Sequence, residues 1–210
     1  MTRLCVNVSA VLYFMAAFSR CAVLEKGINL IDTSPFYGEG LSELFIGQAL
    51  KGIPRDKFFL STKVGRYTWA LPTAFDFTAD RVTKSIEESL SRLQLDHVDL
   101  LNVHDVEFAS SVDMIVNETL PAVQRLKERG LCRYIGITGY PLQPLREIVT
   151  RSNVKIDSVL SYARLSLNDS SLINHLEIVF QVSYGISLTN ACAVSMGMLT
   201  LIKTAWHAPC

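Results

Sequence analysis

The chain has 210 residues, 49% of them hydrophobic and 19% charged, with 20 basic side chains balanced by 20 acidic ones. That composition supplies apolar material for one buried core and excludes disordered, collagen-like and coiled-coil architectures. Net neutrality excludes the basic footprint of a nucleic-acid or anionic-membrane binder and directs attention to a small-molecule site or a protein partner.

Residues 4–18 carry no charge and, with Arg3 before them and Ala17 and Ser19 near their end, mimic a secretory signal. The run is short of the ~20 residues of a membrane span. The competing expectation is a strand over 4–8 and a buried helix over 10–26 stopping at Gly27, which the pattern that follows would use. Apolar, often β-branched runs then recur at 28–31, 58–62, 98–103, 134–138, 158–161 and 186–189, each predicting a buried strand. Between them the spacing predicts helices over 41–51, from Thr78 and Asp80 through Val82, Ile86, Leu90 and Leu93, from Asp113 to Gly130, over 142–151 and over 171–184. Alternation of this kind implies right-handed crossovers and a parallel sheet. Seven strands leave two α/β architectures open: a doubly wound sheet, or a TIM-type (β/α)8 barrel lacking its eighth unit. Such a barrel ordinarily takes about 250 residues. No GxGxxG follows any strand, which weakens the classical dinucleotide fold. No linker divides the chain, so 1–210 is expected to be one domain, with 1–20 an atypical N-terminal segment.

The five cysteines are odd in number and scattered, with no CxxC pair and no His cluster at metal-ligand spacing. They predict free thiols in a reducing, cytoplasmic compartment and no metal.

Functional groups of parallel α/β folds gather at the C-terminal ends of strands. Asp32, Tyr37, Lys63 and His104 fall there, after three consecutive strands. A phenol, with a reference pKa near 10, donates protons poorly at neutral pH unless a cation stabilises its phenolate. Lys63 can supply that cation, Asp32 can hold it, and His104 can donate to a substrate oxygen. Together they form a proton relay for a carbonyl or alcohol, as hydride transfer at the adjacent carbon requires. Taken singly, each residue has a duller explanation: an Asx turn, a loop aromatic, a solvated strand-end charge, a satisfied histidine beside Asp105.

At these residues the sequence resembles the aldo-keto reductase superfamily, through GINLIDTSPFYGEGLSELFIGQAL, FFLSTKVGRY, VDLLNVHDVEF and CRYIGITGYP. It is most similar to the L-galactose dehydrogenase-like branch, through VNETLPAVQRLKERG and SYARLSLND. The resemblance implies a (β/α)8 barrel that binds NAD(H) or NADP(H) without a Rossmann fingerprint. It also implies hydride transfer at a sugar C1 or a small aldehyde or alcohol. Asp32, Tyr37, Lys63 and His104 match the catalytic tetrad, with Tyr37 as general acid or base. Thr138 and Gly139 match contacts to the nicotinamide carboxamide, Ser161 and Tyr162 lie near the ring, and Ser195 and Gly197 fall in the loop by the pyrophosphate. For Gly136 and Gly139 a tight backbone turn is the plainer explanation.

Two departures bear on activity. The family's glycine-rich opening strand is missing, and the sequence stops at Cys210 where the family continues into an eighth strand. The expectation is an incomplete barrel with weak cofactor affinity. Its open edge would be covered by a second copy or a protein partner, and the apolar stretch LINHLEIVFQVSY is a candidate dimer face. The alternative to an enzyme is a catalytically impaired truncated isoform or a noncatalytic scaffold that binds a protein partner.

Overall fold

The strand-like runs become strands, and the central ones are buried along most of their length, as a parallel sheet wrapped by helices requires. The computed structural model describes residues 5–7, 24, 27–175, 184–195 and 199. Its strands are β1 (Cys5–Asn7), β2 (Leu30–Asp32), β3 (Phe59–Val64), β4 (Val98–Val103), β5 (Cys132–Gly139), β6 (Ser158–Tyr162) and β7 (Ser187–Ala191). All neighbours pair in parallel, and the order in the sheet is the order in the chain. A doubly wound sheet reverses its strand order at a switch point, whereas a barrel does not. The consecutive order is therefore that of a barrel, open between β7 and β1 among the described residues. The first predicted strand is present as β1, with Asn7 opposite Asp32. The predicted helix over 10–26 and most of the one over 171–184 lie outside the described residues.

The helices are α1 (Leu41–Ala49), α2 (Ala79–Leu93), α3 (Leu120–Glu128), α4 (Leu142–Arg151) and α5 (Ser171–His175). Helix α2 starts where Thr78, in extended backbone, accepts a hydrogen bond from Arg81 N–H at 3.4 Å. Its apolar stripe of Val82, Ile86, Leu90 and Leu93 is buried against the sheet. Complete burial of a side chain such as Ile86 stabilises by ~1.5–3 kcal/mol. Gln94 in left-handed backbone ends the helix.

One predicted helix changes pitch along its length. The helix expected from Asp113 to Gly130 forms over 112–128, but it begins as a helical turn at Val112–Met114, widens into a π-turn at Ile115–Thr119, and tightens again in α3. Pro121, at the start of α3, has no N–H to donate and its ring crowds the carbonyl four residues back, so the wider turn precedes it. Thr119 Oγ1 donates to Phe77 O at 2.6 Å and ties the widened turn to the preceding loop.

Among the described residues no helix is long and apolar enough to cross a membrane, and no group of three or more His, Cys, Asp or Glu side chains could hold a metal ion.

Candidate active site

Strand register brings the three strand-end residues together. Asp32 closes β2, Lys63 is the penultimate residue of β3, and His104 directly follows β4, its N–H donating to Val64 O at 2.8 Å. Tyr37 sits half-buried in the turn between β2 and α1. Lys63 is 1% exposed and Asp32 3%. The Lys63 ammonium donates to Asp32 Oδ2 at 2.6 Å and to Thr33 O at 2.8 Å, and hydrogen-bonds the Tyr37 side chain. Its nitrogen also lies 4.8 Å from the centre of the Tyr37 ring. Burial by itself would push this amine down, but the charge of Asp32 and the contact with Tyr37 overturn that and hold it above the ordinary lysine value.

Behind this pair runs a buried chain of donors. Ser61 Oγ donates to the other Asp32 oxygen at 2.8 Å, and Asn102 Nδ2 donates to Ser61 Oγ at 3.0 Å. Gly136 and Gly139 lie within strand β5, so the tight turn expected of them is not what they provide. They provide room. A Cβ on Gly136 would stand 2.0 Å from Asn102 Oδ1, and one on Gly139 2.8 Å from Glu107 Oε2. Gly136→Ala is accordingly expected to cost ~1–3 kcal/mol of stability, because the Asn102 amide must swing away from Ser61. Chemical denaturation measures this, and an unchanged midpoint would contradict it.

His104 is 6% exposed, with Nδ1 3.2 Å from Ser34 Oγ. Ser34 Oγ accepts from Phe36 N–H at 3.2 Å and keeps its own proton to donate to Nδ1, the pairing that puts the imidazole proton on Nε2. Burial, with help from the Lys63 and Arg66 charges and against that of Asp105, pushes this imidazole down to about 3. It is a neutral donor at physiological pH. Because the unfolded chain takes up a proton near 6.5 and the folded imidazole does not until about 3, His104's contribution to stability is complete above that window and lost as pH falls through it. The slope reaches ~1.4 kcal/mol per pH unit. Urea midpoints at pH 7 and 4.5 should therefore fall less for His104→Gln than for wild type, and equal falls would refute the assignment.

The rim around the imidazole holds residues that sequence patterns did not single out. Arg66 N–H donates to Asp105 Oδ2 at 2.7 Å, and its guanidinium carbon lies 3.7 Å from the centre of the Phe36 ring. Phe36 in turn packs on Trp69 with ring centres 4.3 Å apart.

Thr138 Oγ1 accepts from Asp105 N–H at 3.0 Å. Ser161 Oγ, at the end of β6, is buried with no hydrogen-bond partner among the described residues. Such an orphaned hydroxyl fits the amide of a nicotinamide ring. The neighbouring Tyr162 phenol is pushed up by burial, by a hydrogen bond with Cys192 and by the nearness of Tyr37 and Asp105. Ser195 Oγ lies 2.5 Å from Asn168 Oδ1, and Gly197 lies outside the described residues.

Comparison with known proteins agrees with the fold. The profile of the Aldo/keto reductase family matches residues 16–205. L-galactose dehydrogenase of Arabidopsis thaliana is 47% identical over 177 residues, 83% of this chain and 53% of that protein. D-arabinose 1-dehydrogenase of Saccharomyces cerevisiae is 34% identical over 196 residues, 89% of this chain and 56% of that protein. The chain thus spans about half the length of these curated relatives. Among solved structures, an aldo-keto reductase from Bacillus halodurans in its holo form superposes with a TM-score of 0.71 at 31% identity, covering 87% of this chain and 58% of that one.

Proposed function

The chain belongs to the aldo/keto reductase family, and on that premise we propose that the protein is an oxidoreductase. It passes hydride between NAD(H) or NADP(H) and C1 of an aldose, or the carbonyl of a small aldehyde. The observation that carries this reading is the buried Asp32–Lys63 pair set against the phenol of Tyr37 and the neutral imidazole of His104.

A nicotinamide, when bound, supplies or accepts the hydride. In reduction Tyr37 gives its proton to the carbonyl oxygen as the carbon receives hydride; in oxidation the phenolate takes the hydroxyl proton. Lys63 stabilises that phenolate by contact, and Asp32 keeps Lys63 charged and aimed. His104, with its proton on Nε2, donates to the substrate oxygen and holds it beside the phenol. Thr138, Gly139, Ser161 and Tyr162 would hold the ring, and Ser195 with Gly197 the pyrophosphate side. The orphaned Ser161 hydroxyl supports that placement. The names of the two dehydrogenase relatives favour a sugar as substrate.

A reducing, cytoplasmic setting belongs to the same reading. Its support is Cys132, a buried thiol outside any disulfide, pushed up to about 11 by burial and so unreactive.

Incubation with L-galactose plus NAD, and with 4-nitrobenzaldehyde plus NADPH, tests the reaction through the absorbance of reduced nicotinamide. Turnover of either substrate is the expected result. A folded sample that turns over neither would overturn the reading and favour a noncatalytic scaffold.

A further inference from the structure

Next to the imidazole stands a carboxylate that neither hydride nor proton transfer uses. Asp105 follows His104 in left-handed backbone, φ 52°, a conformation uncommon for a residue with a side chain and one that must be held in place. Its N–H is fixed by Thr138 Oγ1 and its carboxylate by Arg66. One oxygen, Oδ2, lies both 2.7 Å from the Arg66 guanidinium and 3.6 Å from His104 Nε2, the nitrogen that would face a substrate oxygen. Arg66 Nε is buried with no hydrogen-bond partner among the described residues. Beyond it, past Phe36, the indole of Trp69 is 56% exposed.

Read outward from the reacting centre, the order is imidazole, carboxylate, guanidinium and indole. An apolar aldehyde placed here would strip water from Asp105 and Arg66 and return no hydrogen bonds, a costly exchange for charged groups. An anionic substrate would meet the charge of Asp105 beside a guanidinium that it already neutralises. A neutral polyol satisfies all three groups. Its hydroxyls donate to the carboxylate and accept from the guanidinium, and its C–H face lies on the indole. We propose that Asp105, Arg66 and Trp69 form a polyol-recognition subsite that selects an aldose over an apolar aldehyde. The proposal rests on the oxidoreductase reading for which carbon reacts, while sugar binding itself does not depend on turnover.

Two readouts test it. In steady-state kinetics, Asp105→Ala and Trp69→Ala should each lower the ratio of kcat/KM for L-galactose to that for 4-nitrobenzaldehyde. The expected fall is ~10–100-fold for Asp105→Ala, the size of a lost hydrogen bond to a charged group. Asp105→Asn, which keeps an acceptor, should recover part of it. A merely structural role would lower both substrates together and leave the ratio unchanged, which would overturn the subsite. Trp69 is largely exposed, so its variant keeps the test alive if the Asp105 change misfolds.

Independently of turnover, Trp69 fluorescence in a Trp206→Phe background should respond to L-galactose in the presence of NAD, with affinity weakened by Asp105→Ala. Sugar binding of this kind without turnover would overturn the oxidoreductase reading and leave the subsite standing. Turnover with an unchanged substrate ratio, or no fluorescence response to the sugar, would overturn the subsite.

Discussion

Tyr37→Phe is expected to lower kcat by ~10²–10⁴-fold, the range for removing a positioned acid or base. The substitution removes one oxygen and little else. The ring meets His104 edge-on, with centres 6.0 Å apart at 88°, and Phe36 at 6.2 Å and 61°, and a phenylalanine ring preserves both contacts. Lys63 keeps Asp32 and Thr33 O as partners, so the buried cation is not stranded. The loss should therefore fall on the chemical step, with the KM for the sugar changed far less than kcat. Steady-state kinetics beside a thermal denaturation curve separates this from misfolding. A folded Tyr37→Phe variant whose kcat stays within threefold of wild type would remove the phenol from the reaction and leave His104 to explain it.

How far the fold could be read in advance varied with the kind of signal. Strand β4 begins and ends where its apolar run does, because Val98, Leu101 and Val103 need a buried environment from end to end. Helix α4 likewise matches the predicted 142–151. Strand β2, in contrast, was predicted at 28–31 and forms at Leu30–Asp32, because a three-residue strand ends where its neighbour's hydrogen bonds do: Leu30 pairs with Phe59 and Asp32 with Ser61. The widened turn before α3 was missed. Apolar periodicity continues through Pro121 even though the backbone hydrogen-bond ladder cannot.

The site divides along the same line. The positions of Asp32, Lys63 and His104 were legible because each lies at the end of a strand visible in the sequence. Ser61 and Asn102 were not, since their bond spans 41 positions and exists only because β3 and β4 pair with Lys63 opposite Asn102. The Arg66–Asp105 clamp spans 39 positions, and Asp105 could be seen in the sequence only as a neighbour of His104. Gly136 stood in the sequence only as a candidate tight turn, and the close approach of an amide from the adjacent strand was not visible there.

The buried Asp32–Lys63 pair carries the largest expected effect on stability. Removing one member of such a pair costs ~3–5 kcal/mol, because the other is left charged in a site closed to water. That is a large part of the ~5–15 kcal/mol that holds an ordinary domain folded. In Lys63→Met the carboxylate keeps, among the described residues, only the Ser61 hydroxyl as a side-chain donor, on its far oxygen; in Asp32→Asn the ammonium loses its counter-charge. Both single variants should show the full loss in chemical denaturation at neutral pH. The double variant Asp32→Asn/Lys63→Met removes both charges and should lose markedly less than the sum of the two, a coupling that a double-mutant cycle reads directly. It also remains measurable if a single variant fails to fold. The pH dependence has a fixed sign. The Lys63 amine is held above its unfolded value, so its contribution is fully present below the ordinary lysine range and drains away as pH rises beyond it. Wild type should therefore lose stability at alkaline pH more steeply than Lys63→Met. Additive single losses of under ~1 kcal/mol, with parallel alkaline limbs, would mean that the pair is a solvated surface contact, and the phenol beside it would then lack the fixed cation that lets it exchange a proton at neutral pH.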